Sequence, residues 1–190
     1  YYPQSGWAEQ NPEDSWAAFV KNTRTLLAES GVKPEDIAAI SLDAATHTAV
    51  LLDENDRPVR NAIYWTDTRS SAEAAELREQ YGDEIVKLSY NSVSSLWTLP
   101  QLMWLRRNEP EVIARTCRVM AMKDYIRYRL TGDFVTDDIE AMGFMLLDAN
   151  KNEWSEFLCE MCGLETDNLP TIVRPTQRLS PIRKEAREET

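Results

Sequence analysis

ISLDAATHTAVLLDENDRPVRNAIYWTDTR, residues 40–69, is the stretch whose reading decides the fold. It reads as two strands, Thr48–Leu52 and Ala62–Trp65, joined by the turn-forming residues Asp53, Glu54, Asn55, Asp56, Arg57 and Pro58. The only histidine of the chain, His47, stands just before the first strand, and the cluster Trp65, Thr66, Asp67, Thr68 and Arg69 follows the second. An apolar hairpin with an imidazole at one end and an indole, a carboxylate and a guanidinium at the other has the parts of a polyol or sugar site. Hydroxyl groups need donors and acceptors in fixed places, and the C–H face of a sugar packs well on an aromatic ring.

Outward from this hairpin, the pattern alternates helix and strand. Asn11 and Pro12 form a helix start, with Trp16, Phe19, Val20, Leu26 and Leu27 at helical spacing and Gly31 as the stop. Residues 33–36 turn the chain into Ile37–Leu42, which reads as a buried strand. Beyond Arg69, helices are predicted over Ser70–Tyr81, Asp83–Leu88, Leu99–Asn108, Pro110–Thr116, Met122–Leu130 and Trp154–Cys162, with a short strand at Arg118–Met120. Phe134–Val135 leads as an extended link into Asp137–Met142. Helix, strand and hairpin followed by a nearly all-helical block indicate an α/β domain with a helical insertion beside a mixed sheet.

With 190 residues and 21.8 kDa, one well-packed domain is expected. The 43% hydrophobic and 28% charged fractions are those of an ordinary globular chain. A formal net charge of −11 argues against general nucleic-acid binding, which needs a basic face for phosphates. No apolar run approaches the roughly 20 residues that span a bilayer, and no secretory signal pattern is read, so a cytoplasmic location without membrane association is the default expectation. Three cysteines fit a reducing compartment better than a disulfide framework. Cys159 and Cys162 have C-x-x-C spacing inside a helical pattern with no second pair, so core thiols are the expected reading and no metal site is expected.

The same residues carry a resemblance. The run from Ile40 to Asp53, Arg57-Pro58, Asn61 to Ile63 and Trp65 to Arg69 resembles the N-terminal domain of the FGGY carbohydrate kinases, nearest to the xylulokinase branch. It continues through GWAEQNP at 6–12, LPQLMWL at 99–105, NEPE at 108–111, KDYIRYRLTG at 123–132 and FVTD at 134–137. The resemblance implies a ribonuclease H-like, actin-like ATPase fold. It also implies that residues 1–190 form an N-terminal domain truncated at both ends, with the C-terminal domain absent. The chain starts without methionine and stops on an uncapped helical pattern, Ile182–Thr190, which fits that expectation.

The activity implied is transfer of a phosphoryl group from ATP, with Mg²⁺, to a ketose hydroxyl, xylulose foremost. Ribulose, other ketoses or glycerol stay open, as does a non-catalytic sugar-binding or interaction module that kept the fold. A homodimer is possible in such a family. The expected sugar-facing residues are Thr46, His47, Trp65, Asp67 and Arg69. Relatives commonly have Q-M before the histidine where this chain has Ala45-Thr46. A lone histidine is often structural, an indole at a strand end is often core, and Asp67 with Arg69 could be a plain ion pair.

Leu96-Trp97-Thr98 lies where some relatives set an aromatic ring against substrate, though Thr98 as a helix cap explains it as well. Asp137, Asp138 and Glu140 read as a solvated helix start. No G-x-x-x-x-G-K-[ST] occurs, and neither the D-x-G-T turn nor the catalytic G-D segment of the family is found. No catalytic, cofactor-binding or metal-binding residue is therefore expected within the chain, and taken alone it is expected to be inactive.

Overall fold

The computed structural model describes residues 1–190. A short strand β1 (Glu9–Gln10) precedes the long helix α1 (Pro12–Ser30). The Asn11 side chain accepts the Glu13 N–H, Pro12 opens the helix, and Gly31 closes it at φ 67°. After a turn of 3-10 helix at Pro34–Asp36 come β2 (Ala49–Leu52) and β3 (Ala62–Ile63), then α2 (Ser71–Ser89), α3 (Thr98–Asn108) and α4 (Pro110–Arg115). β4 (Arg118–Ala121) runs straight into α5 (Met122–Thr131), and β5 (Val135–Asp137) into α6 (Asp138–Gly143). β6 (Leu147–Asp148), β7 (Glu153–Trp154), α7 (Glu156–Cys162), β8 (Thr171–Val173) and α8 (Lys184–Glu189) complete the order.

The two strands of residues 40–69 do not form a ladder with each other. Only the turn is shared, through Asp53 N–H to the Arg57 carbonyl, Val59 N–H to the Leu51 carbonyl and a bridge between Leu52 and Pro58. β2 pairs antiparallel with β4, setting Ala49 against Ala121 and Leu52 against Arg118, while β3 pairs antiparallel with β1. β5 and β8 are parallel, and β6 and β7 antiparallel.

Side-chain alternation along β2 and β4 divides the interior in two. Ala49, Leu51, Val119 and Ala121 join the larger apolar cluster beneath α2, α3 and α7. Val50, Leu52 and Met120 join the smaller one, built from Trp16 of α1 and Met122, Tyr125, Ile126 and Leu130 of α5. A strand buried on both faces reads as a continuous apolar run, which explains AVLL at 49–52.

Two further expectations are corrected. Ile37–Leu42 is neither strand nor buried: no strand within the chain pairs with it, and Ile37 and Ile40 stand 42% and 44% exposed. The helices expected at 70–81 and 83–88 are one helix, because Gly82 continues the backbone hydrogen bonding of α2 and a single interior glycine costs only about 1 kcal/mol. Cys159 and Cys162 lie free in the larger cluster, and burial pushes the Cys159 thiol up to about 12 and that of Cys162 up as well. No helix is long and apolar enough to cross a membrane.

Leu51 lies in the centre of the ribbon and is fully enclosed. Leu51→Ala is expected to lower the unfolding free energy by about 2–5 kcal/mol, read from the denaturant midpoint.

Candidate functional site

His47 enters β2 at the point where the ribbon meets α5, α3 and α6. Its backbone sits at φ 42°, in the left-handed region that side-chain-bearing residues seldom adopt. Both of its backbone groups are fixed from a distance. The His47 N–H donates to Glu140 Oε1 on α6, and the His47 carbonyl accepts the Thr98 hydroxyl at 2.9 Å from the start of α3. One residue on, the Thr48 carbonyl accepts the Met122 N–H at 3.0 Å, extending the ladder into α5.

The ring itself lies 4.9 Å from the Trp97 ring, tilted by 57°. Gly143 forms the floor: a Cβ there would come within 3.1 Å of His47 Cβ and Nδ1. His47 is 7% exposed, and its Nε2 is buried without a hydrogen-bond partner. Burial lowers the imidazole below its ordinary value of 6.5, so it is neutral at pH 7 and offers one donor and one acceptor.

Thr46 shares the same anchor, its hydroxyl donating to Glu140 Oε1 at 3.1 Å. Glu140, expected as part of a solvated helix start, is instead 5% exposed. Its own N–H is taken by the Asp137 cap at 3.0 Å, and Lys123 Nζ stands 3.9 Å from Oε2. Burial raises the Glu140 carboxyl, against the lowering pull of the His47 N–H and Lys123. Lys123 is held 2.7 Å from both Asp124 and Asp137; burial pulls its ammonium down, but the two carboxylates outweigh that and raise it. Five of the seven buried polar side-chain atoms without a partner belong to His47, Asp124, Arg127, Thr136 and Asp138, at or beside this junction. Such atoms are rare in folded proteins and mark strain, water or a ligand.

Trp65, just beyond β3, is 43% exposed and touches Tyr64 at 5.9 Å between ring centres. It offers an apolar face to solvent. Asp67 and Arg69 lie in another environment. The Asp67 carboxylate accepts from the Ala8 N–H, the Arg69 N–H and two nitrogens of the Arg69 guanidinium. That uses its roughly four acceptor sites and leaves none for a hydroxyl. Arg69 also bonds Glu9, which in turn pairs with Arg60, and its guanidinium lies 3.7 Å over the Trp7 ring with Trp104 at 5.1 Å. Both side chains of the Asp67–Arg69 pair are fully buried. The pair expected to face a sugar is therefore part of a buried cluster tying residues 7–9 to the segment after β3, with no hydrogen bond or ion pair to His47.

Thr98 opens α3 without acting as its side-chain cap; its hydroxyl goes to His47 instead. A surface depression lined by Gln4, Gly6, Trp7 and Thr66 lies beside the Trp65 segment and does not include His47. Gly31, Gly132 and Gly163 close helices, and Gly6 packs against Thr68, so no glycine here builds a phosphate-binding loop.

Residues 1–190 match the model of the N-terminal domain of the FGGY family of carbohydrate kinases, and the chain belongs to that family. It is 35% identical to the xylulose kinase of Bacillus subtilis over 90% of its own length and 34% of that protein's. It is 32% identical to the glycerol kinase of Thermococcus gammatolerans over 97% of its length and 38% of that protein's. The crystal structure of a "xyloylose kinase" from Brucella ovis superposes with a TM-score of 0.94 at 34% identity, covering all of this chain and 39% of that one. The fold is the ribonuclease H-like, actin-like α/β fold of these kinases. The chain spans about a third of the length of the curated relatives it matches.

Two measurements check this geometry. Arg69→Ala leaves the buried Asp67 without its cation, and Glu9 with Arg60 alone, and is expected to cost about 3–5 kcal/mol in denaturant unfolding. For His47, the unfolded chain binds a proton that the folded chain does not between the lowered folded value and 6.5, so wild-type stability falls as pH drops below 6.5. Glu140 acts in the opposite sense, its contribution being present below 4.5 and lost as pH rises through its folded value. Wild type is therefore expected to lose stability relative to His47→Gln on acidification below pH 6.5, a difference that isolates the imidazole.

Proposed function

We propose that the full-length protein phosphorylates a ketose, xylulose foremost, using ATP and Mg²⁺, and that residues 1–190 are the N-terminal domain of this kinase, contributing part of its sugar-binding wall. The observation that carries the reading is the buried, neutral His47, held in a left-handed backbone with its Nε2 unpartnered, in a chain similar to xylulose kinases over most of its length. A neutral imidazole can accept or donate one hydrogen bond to a sugar hydroxyl, and the indoles of Trp97 and Trp65 supply apolar faces for C–H groups. Thr46 helps to hold the turn. Asp67 and Arg69 support the reading indirectly, by stiffening the segment that presents Trp65.

The contribution of these residues is orientation of the reacting hydroxyl. Magnesium-bound ATP supplies the phosphoryl group and charge stabilisation, and both it and the general base are assigned to parts of the protein beyond these residues. The similarity to a glycerol kinase favours a polyol acceptor generally, so glycerol belongs in any substrate test. A cytoplasmic location and a homodimer accord with this role.

ADP release by the full-length protein, followed with ATP, Mg²⁺ and a panel of xylulose, ribulose, other ketoses and glycerol, tests the proposal. Xylulose-dependent turnover is expected, and His47→Ala should raise the sugar KM roughly tenfold with the ATP KM unchanged, as for loss of one buried hydrogen bond. A folded protein with no turnover on any member of the panel would favour a non-catalytic binding module.

A further inference from the structure

We propose that Glu140 is the positioning residue of the sugar site: its single oxygen Oε1 gathers the Thr46 hydroxyl and the His47 N–H and so fixes the left-handed turn that aims the imidazole. The inference rests on the sugar-binding reading of His47 and goes beyond it by naming what holds that residue.

Three features of the site converge on this role. A buried non-glycine residue in the left-handed region carries a backbone cost that its surroundings must offset. For His47 those surroundings are two bonds from separate elements, Glu140 from α6 on its N–H and Thr98 from α3 on its carbonyl. Without Glu140 the N–H of a buried residue would be left without an acceptor, and the turn would lose one of its two restraints.

Glu140 also belongs to a helix whose same face serves the ring. Gly143, three residues on, occupies that face and leaves room for the His47 side chain, where any Cβ would press on it at 3.1 Å. α6 thus holds the backbone of His47 with one residue and seats its ring with another. The helix is itself fixed at its start by Asp137, which caps the Glu140 N–H and accepts from Lys123 at 2.7 Å.

What Glu140 supplies is an acceptor in a fixed place, more than a charge. The nearest cation, Lys123, stands 3.9 Å from the other oxygen, Oε2, and is more closely engaged by Asp124 and Asp137 at 2.7 Å each. The charged and titratable groups facing Glu140 are therefore Lys123 and Asp124 from α5, Asp137 from the start of its own helix, and His47 from the turn. Burial raises the Glu140 carboxyl, which is consistent with a site that makes little demand for ionisation. A glutamine retains the Oε1 acceptor and nearly the same shape.

The test uses the full-length protein and three variants, Glu140→Ala, Glu140→Gln and His47→Ala, each checked for folding by its thermal midpoint. Sugar and ATP kinetics are measured together with hydrogen exchange of the peptide covering residues 44–50. Glu140→Ala is expected to raise the sugar KM roughly tenfold with kcat and the ATP KM changed less than about twofold, and to speed exchange at His47. Glu140→Gln should restore both the KM and the slow exchange, which a purely electrostatic or general stability effect would not. If His47→Ala raises the sugar KM while Glu140→Ala leaves it at the wild-type value, the positioning role is overturned and the sugar reading stands. If Glu140→Gln behaves like Glu140→Ala, charge rather than acceptor geometry is at work and the proposal fails. Absence of turnover by wild type with every sugar overturns the kinase reading itself, a result distinct from either of these. Should Glu140→Ala fail to fold, Thr46→Val together with Glu140→Gln decides: loss of the hydroxyl donor should raise the sugar KM a few-fold over wild type while Glu140→Gln stays at the wild-type value, and an unchanged KM in Thr46→Val or a raised one in Glu140→Gln contradicts the proposal.

Discussion

The antiparallel ladder between Ala49–Leu52 and Arg118–Ala121 is enclosed on both faces, and the two apolar clusters of the chain form around it. Its alternating side chains supply the centre of two apolar clusters, so α2, α3 and α7 pack on one side while α1 and α5 pack on the other. Burial of this kind is the principal favourable term in folding, and here four residues of β2 and three of β4 serve two interiors at once. A ribbon so enclosed cannot slip by one residue without exchanging the contents of both clusters. Its two ends are accordingly fixed points of the molecule, and His47 stands at one of them.

From that fixed end the chemistry follows by adjacency. β4 runs directly into α5, bringing Lys123 and Asp124 beside the entry to β2, and β5 runs directly into α6, bringing Asp137 and Glu140. Lys123 is shared between Asp124 and Asp137, with Glu140 further off, while several polar atoms around them stay unpartnered. The second polar cluster, Glu9, Arg60, Asp67 and Arg69, has a different character. It lies against the Trp7 ring with Trp104 close by, and its worth is structural: Arg69 is a planar, permanently charged fork that can serve Asp67 and Glu9 together while lying over an indole. The Arg69 cluster ties residues 7–9 to the segment after β3, while five of the seven unpartnered buried polar atoms gather at the His47 junction.

Local signals were legible in the amino-acid sequence where their physics is local. Asn11, Pro12 and Gly31 bound α1 as caps, and Gly132 ends α5, because these residue types satisfy helix-end groups or adopt the left-handed backbone without partners elsewhere. The family resemblance, carried by motifs in order along the chain, gave the fold class that the superposition bears out. Pairing was not legible. AVLL at 49–52 and VMA at 119–121 are apolar on both faces, so alternation could not say which strand meets which, and the neighbour in sequence, Ala62–Ile63, was the natural but incorrect partner. Ile37–Leu42 has the composition of a buried strand, yet composition does not supply a partner, and within the chain there is none. At the site, His47 could be singled out as the only histidine, but its supports lie 51 and 93 residues further along. Glu140 looked like one of three solvated acids because burial of a carboxylate depends on distant donors that no local pattern reveals.

The central claim is that the unpartnered imidazole of His47 is completed by a sugar hydroxyl. The most direct measurement is the crystal structure of the full-length protein with xylulose bound. A sugar oxygen is expected within about 2.7–3.2 Å of a His47 ring nitrogen, with the Glu140 bonds to Thr46 and His47 intact and an indole against the sugar's C–H face. A sugar bound with full occupancy elsewhere, and a His47 ring still packed on Trp97 with no ligand on either nitrogen, would contradict it.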